Sequence, residues 1–176
     1  MKILILITAL TQSMTPLVVF DFNIKANLKN WTTVNDGVMG GKSLSTFKLN
    51  SEGNGVFQGS ISLRNNGGFS SVRYNFDKKL IKTFTKIAIK VKGDGKKYQI
   101  RIKSNSTDYY SYTANFLTNG EWEEIEIPLA NMSPTYRGRA LDKPNFSNTY
   151  FEQISLFIGN KKEENFKLIV KKLELK

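Results

Sequence analysis

Lys86-Ile-Ala-Ile-Lys-Val-Lys-Gly-Asp-Gly-Lys-Lys-Tyr-Gln-Ile-Arg-Ile-Lys103 decides the fold class. Ile87, Ile89 and Val91 alternate with Ala88, Lys90 and Lys92, and Tyr98, Ile100 and Ile102 alternate with Gln99, Arg101 and Lys103. A period of two sends one set of side chains into a core and the other toward water, so both runs read as strands. Gly93-Asp-Gly95 between them predicts a tight hairpin.

The same alternation recurs on both sides. Leu17–Phe22 reads as the first strand of the domain. Phe57, Ile61 and Leu63 oppose Gln58, Ser60 and Ser62, and Ile125, Ile127 and Leu129 oppose Glu124, Glu126 and Pro128. Phe166, Leu168 and Val170 close the series opposite Lys167 and Lys171. Tyr109, Tyr110 and Tyr112 occupy both faces of another strand, so at least one faces water. No stretch carries helical spacing over an ordinary helix length. About nine or ten short strands separated by turn signals predict an all-β protein, an antiparallel two-sheet β-sandwich. Residues 17–176 form a single domain in this reading, with no repeat or linker.

The 176 residues suffice to bury a core without covalent staples. There is no cysteine, which removes disulfides, thiol catalysis and Cys-based metal sites. There is no histidine, so the commonest general base and metal ligand are also missing. A net charge of +11 favours acidic partners, but the lysines are dispersed along strands and read as solvated outer faces. Residues 1–16 begin with one lysine and a short apolar run, too short for the about 20 residues that span a bilayer. They read as a minimal export signal, with cleavage near Ser13, or as a leading apolar segment. Export to the periplasm is favoured over a cytoplasmic location, and the lack of arginine excludes a mitochondrial transit peptide.

Two stretches escape the strand rhythm: Trp31-Thr-Thr-Val-Asn-Asp-Gly-Val-Met-Gly-Gly-Lys-Ser43 and Asn65-Asn-Gly-Gly-Phe-Ser-Ser-Val-Arg73. Clustered glycines point to positive φ or a close backbone approach, and Asn35 and Asp36 can bond their own backbone to fix a turn. A tight turn between strands and a binding loop are both compatible with this pattern. Gly40→Val is expected to destabilise the fold, because the glycine cluster suggests a turn that does not tolerate a Cβ.

The ordered set Val34–Ser43, Phe57-Gln-Gly59, Asn66–Arg73, Val91-Lys-Gly-Asp-Gly95 with Tyr98, Trp122 ahead of Ile127-Pro128, Tyr136-Arg-Gly-Arg139 and Phe166–Val170 resembles the complex I intermediate-associated protein family. That family comprises the thirty-kilodalton mitochondrial assembly factor and its bacterial relatives. The resemblance covers residues 18–175 and, given the N-terminus, points to a bacterial member. It implies a galactose-binding-like, jelly-roll sandwich and a non-enzymatic, chaperone-like role in assembling other proteins.

Ala130–Tyr150 reads as a loop of about twenty residues without a period, either functional or a plug carrying Tyr136 and Phe146. Arg137 and Arg139 flank a glycine there, and guanidinium groups pair bidentately with carboxylate or phosphate. Trp31 and Trp122 read as core residues. The candidate binding residues are Asn35, Asp36, Met39, Gly40, Gly41, Lys42, Gly67, Gly68, Phe69, Tyr136, Arg137 and Arg139. No catalytic residue is assigned: the serines lack a histidine base, and nothing pairs the carboxylates. The glycines lack the strand-then-helix context of a phosphate-binding loop. No cofactor is expected. Oxygen ligands such as Asp21, Asn35 and Asp36 suit calcium, but no EF-hand spacing exists and no metal is assigned. The leading reading is a protein-interaction module whose partners include respiratory complex subunits, presenting a flat or convex patch around Arg137. The alternative is a carbohydrate-binding module with coplanar aromatics in a groove, and nucleic acid ranks third.

Overall fold

In the computed structural model, residues 15–176 are described, with the side chains of Val38 and Met39 excepted. Residues 1–14, and with them most of the leading segment, lie outside the described residues. In chain order the first strands are β1 (Leu17–Asp21), β2 (Trp31–Asn35), β3 (Leu44–Leu49), β4 (Gly55–Ile61) and β5 (Ser70–Leu80). Then come β6 (Lys86–Lys92), β7 (Lys97–Lys103), β8 (Ser111–Leu117) and β9 (Trp122–Pro128). The last are β10 (Ser133–Tyr136), β11 (Arg139–Ala140), β12 (Tyr150–Ile158) and β13 (Glu164–Leu175). Three short 3-10 turns are the only helical pieces among the described residues.

The strands form two antiparallel sheets, as the alternation requires. One runs β3-β4-β13-β6-β9 with β1 on β13, and the other runs β11-β10-β8-β7-β12-β5-β2. Ile87, Ile89, Val91, Phe57, Leu168 and Val170 of the first pack against Val72, Ile100, Ile102, Ile154 and Leu156 of the second. Each such burial contributes about 1.5–3 kcal/mol. One end of the core is aromatic. Trp31 stacks on Tyr74 at 4.8 Å and 15°, with Phe20, Phe22 and Phe47 around it. A bulge between Val170 and Lys172 shifts β13 by one residue, which brings Leu173 and Leu175 into the core after Val170.

The expected hairpin at Gly93–Gly95 does not form. β6 pairs with β13 and β9, whereas β7 pairs with β12 and β8, so the turn carries the chain from one sheet to the other. Asp94 pins this crossing by accepting from Tyr98 Oη (2.9 Å), Lys96 Nζ (2.8 Å) and Lys167 N (2.9 Å). The expected loop 130–150 is also partly ordered. It contains β10 and β11, joined by Arg137 (φ 47°) and Gly138 (φ 77°), the left-handed pair of a primed hairpin turn. Phe146 is buried against Tyr112 as a plug, while Tyr136 stays 38% exposed. Trp122 corrects its expected place: it starts edge strand β9 and remains 40% exposed.

Candidate functional site

The two glycine-rich stretches close on one carboxylate. Asp36 is 3% exposed and accepts hydrogen bonds from Ser43 N (3.1 Å), Ser43 Oγ (2.5 Å), Gly68 N (2.7 Å) and Phe69 N (3.3 Å). Burial alone raises its pKa, but the Ser43 hydroxyl and the Gly68, Ser43 and Phe69 amides outweigh that and hold it below the usual carboxylate value. Asn35 does the same for neighbouring strands, its Oδ1 accepting from Ser45 Oγ (2.7 Å) and Ser70 Oγ (2.8 Å). The glycines follow from this packing. A Cβ on Gly41 would lie 2.2 Å from Asp36 Oδ1, and one on Gly67 2.5 Å from Asp36 Oδ2. At Gly40 a Cβ would make only ordinary contacts with Asn65 at 3.9 Å, so the glycine there is required by its φ of 81° and not by crowding.

The braced Gly67–Phe69 turn forms one wall of a groove of about 510 Å³ on the outer face of the seven-stranded sheet. Register sets the sheet face beneath it in rows, of which Ser71, Phe157, Arg73, Ser155, Arg101, Gln153, Lys103, Ser111 and Thr135 line the groove. Ser71, Phe157, Gln99 and Asn115 make the first. Arg73, Ser155, Arg101, Thr113 and Ser133 make the second. Asn75, Gln153 and Lys103 begin the third, which continues toward Ser111 and Thr135. The hairpin residues Tyr136, Arg137 and Gly138 stand on the opposite wall with Tyr109, which is 60% exposed.

Arg101 donates through Nε (3.0 Å) and Nη2 (2.6 Å) to Gln99 Oε1, and its guanidinium carbon sits 3.4 Å from the Phe157 ring centroid. Lys103 Nζ reaches the Asp108 carbonyl at 2.6 Å. Arg73, Arg101, Lys103 and Arg137 take no part in the ion pairs found among the described residues, which involve other lysines such as Lys86, Lys172 and Lys176. Among the described residues, no aspartate or glutamate lines the groove. Burial, reinforced by Arg73, pushes Arg101 down to about 10. Burial also lowers Arg73, and burial together with Arg73 lowers Lys103 despite the attraction of Asp108. A wider depression of about 860 Å³ lies over the other sheet, and the Asp94 carboxylate there is already occupied by Lys96, Tyr98 and Lys167.

Of the twelve candidate residues, Gly67, Gly68, Phe69, Tyr136 and Arg137 meet at the groove. Asn35, Asp36 and Gly41 lie outside the lining: Asp36 is buried and braces the Gly67–Phe69 turn, while Asn35 and Gly41 are half-buried. Gly40, Lys42 and Arg139 are exposed outside the lining, and Met39 has no described side chain. Reasoning from sequence missed Arg73, Arg101 and Lys103 as site residues, reading the last two as a wet strand face. The available signal was arginine scarcity: the chain has five, and three of them, Arg73, Arg101 and Arg137, face this groove. Among the described residues, no group of three or more His, Cys, Asp or Glu is positioned to hold a metal ion, and no helix is long and apolar enough to cross a membrane.

Residues 20–170 match the family model for complex I intermediate-associated protein 30. The chain belongs to that family. A relative within it, the mitochondrial complex I intermediate-associated protein 30 of Drosophila melanogaster, is 26% identical over a region covering 72% of this chain and 50% of the relative. The chain therefore spans about half the length of that relative. Among solved structures, the family 11 carbohydrate-binding module of a Clostridium thermocellum cellulosomal cellulase is similar with a TM-score of 0.67 at 16% identity, covering 93% of this chain and 95% of that one. A family 29 carbohydrate-binding module gives 0.53 at 12% identity, covering 92% and 87%. At these identities the likeness establishes the sandwich fold, of the galactose-binding-like kind, and nothing about the ligand.

Proposed function

We propose that this family member is a non-catalytic protein-interaction module that captures a partner protein in the groove during respiratory complex assembly. The observation that carries this reading is a concave sheet face bearing aromatic side chains together with Arg73, Arg101, Lys103 and Arg137, which enter no ion pair among the described residues. Arginine and aromatic residues on a partly desolvated surface are the composition of protein hot spots. Among the described residues, the groove lining contains no Asp, Glu, His or Cys, so its serine and threonine hydroxyls have no carboxylate or imidazole base in the lining. Family membership and the Drosophila relative's name supply the expectation of complex I intermediates as partners.

The concave shape replaces the flat or convex patch expected around Arg137, and it is the specific observation that favours the carbohydrate reading. Ring geometry weighs against that alternative. The Arg101 guanidinium occupies a face of Phe157, and Tyr109 and Tyr136 meet at 80° instead of forming a coplanar platform. The deciding experiment is affinity co-purification of the tagged protein from its native cells, comparing wild type with Tyr136→Ala and Arg137→Ala. A defined protein set that includes respiratory complex subunits, depleted by the substitutions, supports the proposal. Retention on a mixed-linkage glucan column with no protein recovered would transfer the function to carbohydrate binding.

A further inference from the structure

Ser155 lies between two arginines. It is the register partner of Arg73 across β5 and of Arg101 across β7, so the two arginine Cα atoms stand two strand spacings apart, about 10 Å. Both arginines line the groove on either side of the buried Ser155, and Lys103 occupies the next row. Like charges gathered on a partly desolvated floor without a carboxylate oppose folding, and an anion arriving from outside relieves that opposition.

Resting on the reading of the groove as a partner-binding face, we propose that its occupant is an acidic segment of the partner protein. Aspartate or glutamate side chains are held over Ser155 by Arg73 and Arg101, and apolar residues are held by the flanking rings. Guanidinium forks match carboxylates bidentately. Ser155, Gln153 and Ser111 add neutral hydrogen-bonding groups on the same floor. Phe157 with Phe69 lies one row to one side of the arginines, and Tyr109 with Tyr136 borders the other. A volume of about 510 Å³ exceeds what a single small anion occupies and suits a short chain segment. Charge with apolar flanks on both sides favours an acidic-and-aromatic peptide over a uniformly charged polymer.

The test is fluorescence anisotropy of a labelled peptide alternating glutamate with phenylalanine, titrated with the whole chain at several salt concentrations. Binding should weaken steeply as salt rises. It should fall by about tenfold or more in Arg73→Gln and Arg101→Gln, the loss expected for one charge-assisted pair. Arg101→Lys should lose part of the affinity, and Lys48→Gln on the opposite sheet none. Thermal melts of each variant separate lost binding from lost folding, and the glutamine variants should melt at or above the wild-type temperature. Peptide binding that ignores both substitutions overturns the inference, as does stronger groove-dependent binding of polygalacturonate, inorganic phosphate or phosphatidylglycerol vesicles. If Arg73→Gln/Arg101→Gln still captures partner proteins that Tyr136→Ala loses, the acidic segment is wrong and the partner reading stands. If the wild type captures no protein from its cells, the partner reading itself fails.

Discussion

Replacing Asp36 with alanine removes the group on which both glycine-rich stretches close. Four hydrogen bonds are lost, but not at equal cost. The Ser43 Oγ and Gly68 N bonds, at 2.5 and 2.7 Å, are short and charge-assisted, while those from Ser43 N and Phe69 N are longer. Gly68 and Phe69 are half-buried, and the Ser43 hydroxyl already has the Ser62 carbonyl at 3.4 Å as a second acceptor. Two strong bonds at about 1.5–3 kcal/mol each therefore set the scale, giving a loss of about 3–6 kcal/mol. For a domain of this size that lowers the melting temperature by roughly 10 °C. Urea unfolding at neutral pH measures it as a shift in midpoint at unchanged slope. Gly41→Ala supplies the cross-check, since its added Cβ meets the Asp36 carboxylate at 2.2 Å. It should cost markedly less in the Asp36→Ala background, with a coupling above about 1 kcal/mol. A loss below about 1 kcal/mol for Asp36→Ala, or strict additivity in the cycle, would refute the reasoning.

Acid should erase the same difference. Asp36 has a folded pKa below its ordinary 3.8, so its stabilisation is present above that value and is lost as pH falls through the folded pKa. The gap between wild type and Asp36→Ala should be constant near neutrality and shrink below about pH 4, as read by urea midpoints across pH. Asp94, also lowered, contributes to the acid limb of both proteins and cancels in the difference. Gly40→Val should destabilise by roughly 1–2 kcal/mol through its left-handed backbone alone, with Gly40→Ala milder, as thermal melts will show. Arg137→Ala should leave stability within about 0.5 kcal/mol, because the side chain is exposed, while weakening partner capture in the co-purification.

The strand pattern was legible because a strand with one wet face writes its geometry into every second residue. Ile87, Ile89, Val91 and Ile100, Ile102 all lie in the core as the alternation required. Pairing was not legible, since alternation fixes a face but not a neighbour. Gly93-Asp-Gly95 has hairpin composition but serves a crossing between sheets, held by long-range bonds to Lys167. β10 and β11 escaped because two- and four-residue strands around Pro134 and Gly138 are too short to show a period. The glycine-rich stretches stood out correctly as special, yet their residues divide into a buried brace around Asp36 and a groove wall at Gly67–Phe69. Only distances across about thirty residues of chain separate those roles. Arg101 and Lys103 pointed outward as expected. That the outer face is concave, and that Arg73 joins them, depends on strand order, and strand order was the part the residues did not spell out.

The most direct test of the account places a photo-crosslinking amino acid at Tyr136, on the groove wall, and in a parallel variant at Thr46, exposed on the opposite sheet. Irradiation in the native cells followed by identification of the adducts should yield a defined protein partner from position 136, joined through an acidic segment, and none from position 46. Adducts arising only from position 46, or polysaccharide as the species held at position 136, would contradict the claim that the cationic groove captures a protein.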